Sequence, residues 1–91
     1  MYYVYVLCNS RGGLYVGYSS DLRRRLREHN SGKERSTRGE RWKLVYYEAY
    51  LSKEDALGRE RKLKHRGQAK RFLKERIRES ISSGCIELSA R

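Results

Sequence analysis

Tyr2-Tyr3-Val4-Tyr5-Val6-Leu7, answered after Asn9-Ser10-Arg11-Gly12-Gly13 by Leu14-Tyr15-Val16-Gly17-Tyr18, is the stretch that decides the fold. Both runs are β-branched and aromatic, and the Gly-Gly between them can turn the chain, so the segment reads as a β-hairpin. Successive strand residues point to opposite faces. With an antiparallel register of even sum, Tyr5, Tyr15 and Gly17 therefore share one side of the sheet, and a slip by one residue separates them. Gly17 leaves space beside Tyr15, which suits either a bulge or the close approach of a ligand backbone.

Working outward, Ser19-Ser20-Asp21 offers N-caps for a helix running to about Asn30, with Asn30-Ser31-Gly32 as its stop. On that helix Leu22 and Leu26 form an apolar stripe, and Arg25 and His29 border it. Residues 33–43 form a basic loop carrying Lys33, Arg35, Arg38, Arg41 and Lys43. Such a loop can lie along phosphates or serve as a plain connector. Leu44 to Tyr50 reads as a third strand, with Glu48 on the face of Tyr46 and Tyr50 and best suited to a rim position or a salt bridge. Ser52-Lys53-Glu54-Asp55 resembles a capping box and starts a second helix that runs to about His65. A third helix follows Gly67, from Gln68 to about Ser80, with Ala69, Phe72, Leu73, Arg76 and Ile77 on one face. The expected fold class is α+β, a three-stranded antiparallel sheet packed with about three helices, in one domain over residues 1–80 with a flexible tail at 81–91.

Composition narrows the partners. A chain of 91 residues has room for one core, and all eight tyrosines lie at or before Tyr50. The formal charge of +11 points first to a polyanion, and nucleic acid is the expected partner. No signal peptide, membrane span or lipidation box is evident, so a cytoplasmic protein with no membrane association and no obligate protein partner is expected. Cys8 and Cys85 form neither a disulfide framework nor a zinc set, and read as buried free thiols.

The second helix carries one residue that its position makes conspicuous. Glu60 falls near the middle of an arc formed by Ala56, Leu57 and Leu63. An inward carboxylate needs a cation, a hydrogen-bond network or a metal, and periodicity leaves an arginine ion pair and a metal ligand equally open. Two tyrosines on one sheet face, an Arg and a His on the next helix, and an inward Glu are parts from which phosphodiester cleavage can be built. A divalent ion bridges the phosphate, a hydroxyl or base orients water, and a guanidinium neutralises charge on phosphorus.

Tyr3-Val4-Tyr5, Tyr15-Val16-Gly17, Asp21-Leu22 with Arg25-Leu26 and His29-Asn30, then Ala56-Leu57 with Glu60, resemble in order and spacing the GIY-YIG nuclease family over residues 2–66. Arg66 to Lys70 is similar to its small stand-alone bacterial, UPF0213-like members. The resemblance implies a metal-dependent endonuclease using one Mg²⁺ or Mn²⁺ ion. By it, Tyr5 lies by the attacking water, Tyr15 helps position or activate it, Gly17 keeps the approach clear, Arg25 contacts the scissile phosphate, His29 orients Tyr5 or relays protons to it, and Glu60 is the metal-ligating carboxylate. Tyr3 departs from the family by replacing the first Gly of its name-giving triplet, and no equivalent is evident of the asparagine that follows the last helix in some relatives.

Two functions follow from these readings: hydrolysis of DNA, branched or damaged DNA included, by in-line attack of water, or non-catalytic binding of structured RNA or DNA. Salt dependence does not separate them, because five neutralised phosphates give a log–log slope of about −4.5 on duplex DNA in either case.

Overall fold

The computed structural model describes residues 1–33, 39, 41–65 and 67–83. The aromatic, β-branched runs form β1 (Tyr2–Cys8) and β2 (Leu14–Ser19), and Lys43–Tyr50 forms β3. All pairing is antiparallel in the order β2-β1-β3, so the first strand in sequence is the central one. The hairpin turn closes through Asn9, whose Oδ1 accepts from the backbone N–H groups of Arg11 and Gly13 at 3.0 and 2.7 Å. This self-made turn fixes Tyr5 opposite Gly17 and Val6 opposite Val16. The even register sum expected from the sequence is the observed one.

That register separates the two faces. Val4, Val6 and Val16 turn to one side and meet Ala56, Leu63, Leu73 and Ile77 in the larger core. Tyr5 and Leu7 turn to the other, where Trp42, Tyr15, Leu22 and Leu26 surround them. Helix α1 (Leu22–Asn30) therefore covers the tyrosine face, while α2 (Lys53–Lys64), α3 (Gln68–Arg76) and α4 (Arg78–Ile81) belong to the valine face. Asp21 caps α1 by accepting from Arg24 N–H at 3.1 Å, and Ser52 caps α2 by accepting from Asp55 N–H at 3.3 Å.

Three expectations need correction. The single third helix is two, because the backbone leaves helical geometry at Ile77, whose side chain stays buried. Phe72, expected to face inward with Ala69 and Leu73, is 56% exposed. Cys8 is buried but disulfide-bonded rather than a free thiol, and Cys85 lies outside the described residues, as does the tail from residue 84.

Glu48 does form the expected salt bridge. Arg59 of α2 reaches it with Nε and Nη2, each 3.0 Å from a carboxylate oxygen, and the Tyr46 and Tyr50 hydroxyls donate to the same group. Burial alone raises the carboxyl, but the hydrogen bonds from Arg59, Tyr46 and Tyr50 outweigh it and hold Glu48 below the usual range. Burial and the bond to Glu48 push Tyr50 up to about 12. The carboxylate thus ties β3 to α2, and its depressed value means stability present above the unfolded carboxylate range and lost as pH falls through the folded value. Tyr50 works in the opposite direction: its raised value gives stability present below the ordinary tyrosine range near 10 and lost as pH rises toward about 12. Glu48→Gln should lower unfolding free energy by about 2 kcal/mol at pH 7 and flatten both limbs of the pH profile. Urea unfolding at a series of pH values measures this; an unchanged profile contradicts the clamp.

Candidate active site

The tyrosine face carries a connected cluster. Tyr5 Oη lies 2.8 Å from His29 Nε2, and Arg25 Nε donates to the same hydroxyl at 3.3 Å. A guanidinium can only donate, so the phenol oxygen accepts from Arg25 while its hydrogen remains able to go to Nε2 of a neutral imidazole. Arg25 also donates through Nη1 to Glu28 Oε1 at 3.0 Å, which braces the guanidinium along its own helix.

Gly17 makes this arrangement possible. A Cβ built there would stand 2.9 Å from Tyr5 Cε1 and closer still to Cζ and the hydroxyl. The space opened by the glycine is therefore filled by Tyr5, not left for a ligand. That corrects the physical reason expected for Gly17: it acts on the site through the tyrosine paired across from it.

Tyr15 completes the aromatic part. Its ring stands edge-on to His29 with centroids 4.7 Å apart, and to Trp42 at 6.3 Å. The helix bearing His29 is in turn anchored by Asn30, whose Oδ1 accepts from Trp42 N–H at 2.8 Å and whose Nδ2 donates to Trp42 O at 3.1 Å. An amide side chain here imitates a strand partner, joining the end of α1 to the start of β3. The sequence reading took Asn30 as a helix stop and as part of the His29-Asn30 motif, without a pairing partner; two-sided pairing to a residue twelve positions away leaves no local pattern.

Burial divides the cluster. Tyr5 and His29 are 2% and 0% exposed, so His29 lies inside the stripe it was expected to border. Arg25 and Tyr15 are partly open and form the side that a substrate can meet.

Glu60 sits differently from its expected place. Ala56 and Leu63 are fully buried and Arg59 turns to Glu48, so the inward stripe of α2 is centred away from Glu60, which flanks it. Its side chain is 18% exposed and pairs with Lys64 Nζ at 3.1 Å. Lys64 Nζ also lies 5.7 Å from the centre of the Tyr15 ring, bringing this edge of α2 to the tyrosine cluster. The pair is an i,i+4 contact with a half-exposed lysine, which can turn away at little cost. Among the described residues no three His, Cys, Asp or Glu side chains converge on a possible ion. One partly open carboxylate fits a Mg²⁺-like ion that keeps waters and takes phosphate oxygens, and does not fit a cage made of protein alone.

Of the basic loop, Lys33, Arg41 and Lys43 are exposed, while Arg35 and Arg38 lie outside the described residues. Lys33 joins Arg24, Arg27, Glu28 and Ser31 around a surface cleft on α1, on the same helix as Arg25.

Comparison with known proteins identifies the family. Residues 1–76 match the model of the GIY-YIG catalytic domain. A UPF0213 protein of Streptococcus pneumoniae is 44% identical over 77 residues, covering 80% of this chain and 78% of the relative, and one from Bacillus pumilus is 43% identical over 65 residues, covering 69% and 66%. The solution NMR structure of a UPF0213 protein from Bacillus halodurans is similar with a TM-score of 0.50 at 39% identity, over 80% of this chain and 81% of that one. Domain match, relatives and fold together establish that this chain belongs to the GIY-YIG family.

Proposed function

We propose that the protein is a metal-dependent endonuclease that hydrolyses phosphodiester bonds of DNA. The observation that carries this reading is the Tyr5 hydroxyl held between His29 Nε2 and Arg25 Nε, a proton acceptor on one side and a cation on the other. A module that only binds needs no such buried relay; it needs exposed cations, which this surface also has.

In this mechanism the scissile phosphate comes against Arg25, and its neighbours run along the cleft of Arg24, Arg27 and Lys33. Tyr15, partly open, orients the attacking water. The proton lost by that water goes to the Tyr5–His29 pair, in which the imidazole supplies the basic nitrogen and Arg25 favours negative charge on the phenol oxygen. A bond forms from the water oxygen to phosphorus, the bond to the sugar oxygen on the opposite side breaks, and that oxygen takes a proton from solvent and leaves as the hydroxyl of the cut strand. Glu60 would hold a Mg²⁺ or Mn²⁺ ion, which when bound supplies charge neutralisation on the phosphate. Lys64 leaves Glu60 for this to occur, and its ammonium then stays close to the incoming polyanion.

Glu60→Ala should abolish metal-stimulated cleavage while changing DNA affinity by less than about threefold; equal cutting by both proteins would assign the activity elsewhere. Arg25→Ala should lower turnover by about 10²- to 10³-fold, with circular dichroism used to verify folding, and an unchanged rate removes Arg25 from the site. Gly17→Ala should displace the Tyr5 ring, lowering kcat far more than it changes KM, at a stability cost of about 1–3 kcal/mol. Wild-type kinetics in that variant would contradict the packing argument.

A further inference from the structure

Among the described residues, one part of the tyrosine face has no helix over it. Helix α1 covers Tyr5 and Leu7, but on the flanking strand β3 Tyr47 is 53% and Leu44 is 37% exposed. Regular alternation would put residues 44 and 47 on opposite faces. A bulge prevents this: Val6 pairs with Tyr46 and Leu7 with Leu44, leaving Val45 unmatched and turned to the larger core. Leu44 therefore lies on the face of Leu7, and Tyr47 on the face of its partner Tyr5. Tyr3 lies on the same side, edge-on to Tyr47 with centroids 5.9 Å apart. These three, with Ser20, Asp21, Leu22 and Arg23, line a depression of about 480 Å³. The Asp21 carboxylate is turned to its own helix, accepting from Arg24 N–H, while Arg23 at the rim is exposed.

We infer that this depression is a stacking subsite for an unpaired nucleobase of the substrate strand, the Tyr47 ring being the platform and Arg23 the phosphate contact beside it. The inference rests on the nuclease reading and narrows its substrate class to DNA with a single-stranded or unpaired segment flanking the cut. Three observations commit it to a base. The opening is lined by the two aromatic rings of Tyr3 and Tyr47 and the two aliphatic side chains of Leu22 and Leu44, which suit a flat apolar face. Its rim carries a cation in a chain of net charge +11, which suits a polyanion better than an acidic or neutral peptide. Tyr47 is also the direct cross-strand neighbour of Tyr5, which places the platform beside the candidate cleavage cluster. An open sheet face with exposed aromatics can hold bases by stacking without reading their sequence, because every base presents a π-face.

The test uses the full chain with oligonucleotides carrying 2-aminopurine in a single-stranded flank, in a chelator so that binding is read without cutting. Wild type should quench the fluorophore. Tyr47→Ala should lose the quench and weaken flank binding by roughly 5- to 100-fold, while Tyr47→Phe, which keeps the ring, should restore both. Because Tyr47 is exposed, the fold should survive, as circular dichroism can verify. Unchanged affinity and quenching in Tyr47→Ala, with metal-dependent cleavage intact in wild type, overturn the subsite but leave the nuclease reading standing. Failure of wild type to bind any oligonucleotide overturns both. Sedimentation showing a wild-type dimer that Tyr47→Ala dissociates assigns the face to a second copy and also overturns the subsite.

Discussion

Tyr5 occupies the volume that any side chain at position 17 would need, and the rest of the site depends on that exclusion. A phenol in the central strand of a small sheet is ordinarily packing material. Here the missing Cβ lets its ring lie across the neighbouring strand, where the hydroxyl meets an imidazole and a guanidinium from the following helix. The partners are fixed independently: α1 begins on the Asp21 cap and ends on the Asn30–Trp42 pair, so Arg25 and His29 have little freedom to settle elsewhere. Hydrogen bonds in such a buried setting are mutually reinforcing, and each is costly to leave unmade.

The sheet separates stability from chemistry by its two faces. The valine face carries the larger core and the Glu48–Arg59 clamp. The tyrosine face carries the polar cluster and, over β3, a part left exposed by the helices among the described residues. Helix α2 serves both, since Ala56, Arg59 and Leu63 bind it to the first face while Lys64, paired with Glu60, reaches round the edge to Tyr15. The charge that attracts a polyanion therefore need not enter the core, and Glu60, which the proposed mechanism assigns to an ion, lies at that outer edge.

Much of this was legible in the sequence. Alternation in the hairpin placed Tyr5, Tyr15 and Gly17 together because a strand has a period of two, and a slip by one residue would turn the valines of one strand to the opposite face. The capping residues set the starts of α1 and α2, and these turned out as expected. What stayed hidden depended on pairs distant along the chain. A helical wheel put Glu60 at the centre of the inward stripe because it could not know that Arg59 would follow Glu48 inward and rotate the helix. It put His29 at the margin because the depth of a side chain depends on what lies opposite, here Tyr5 and Tyr15. The bulge opposite Val6 and Leu7 involves no glycine or proline, so nothing local marked Leu44 and Tyr47 as companions. Phe72 misled in the other direction: helical spacing suited it to the core, but the valine face was already filled.

The central claim is that Tyr5 and His29 act as one proton-handling unit, and a double-mutant cycle on single-turnover cleavage tests it most directly. Groups that work only together lose their function once, so Tyr5→Phe combined with His29→Gln should be no slower, within about twofold, than the slower single variant. If the two losses instead multiply, the hydrogen bond joining the residues is structural and the account of the site is wrong.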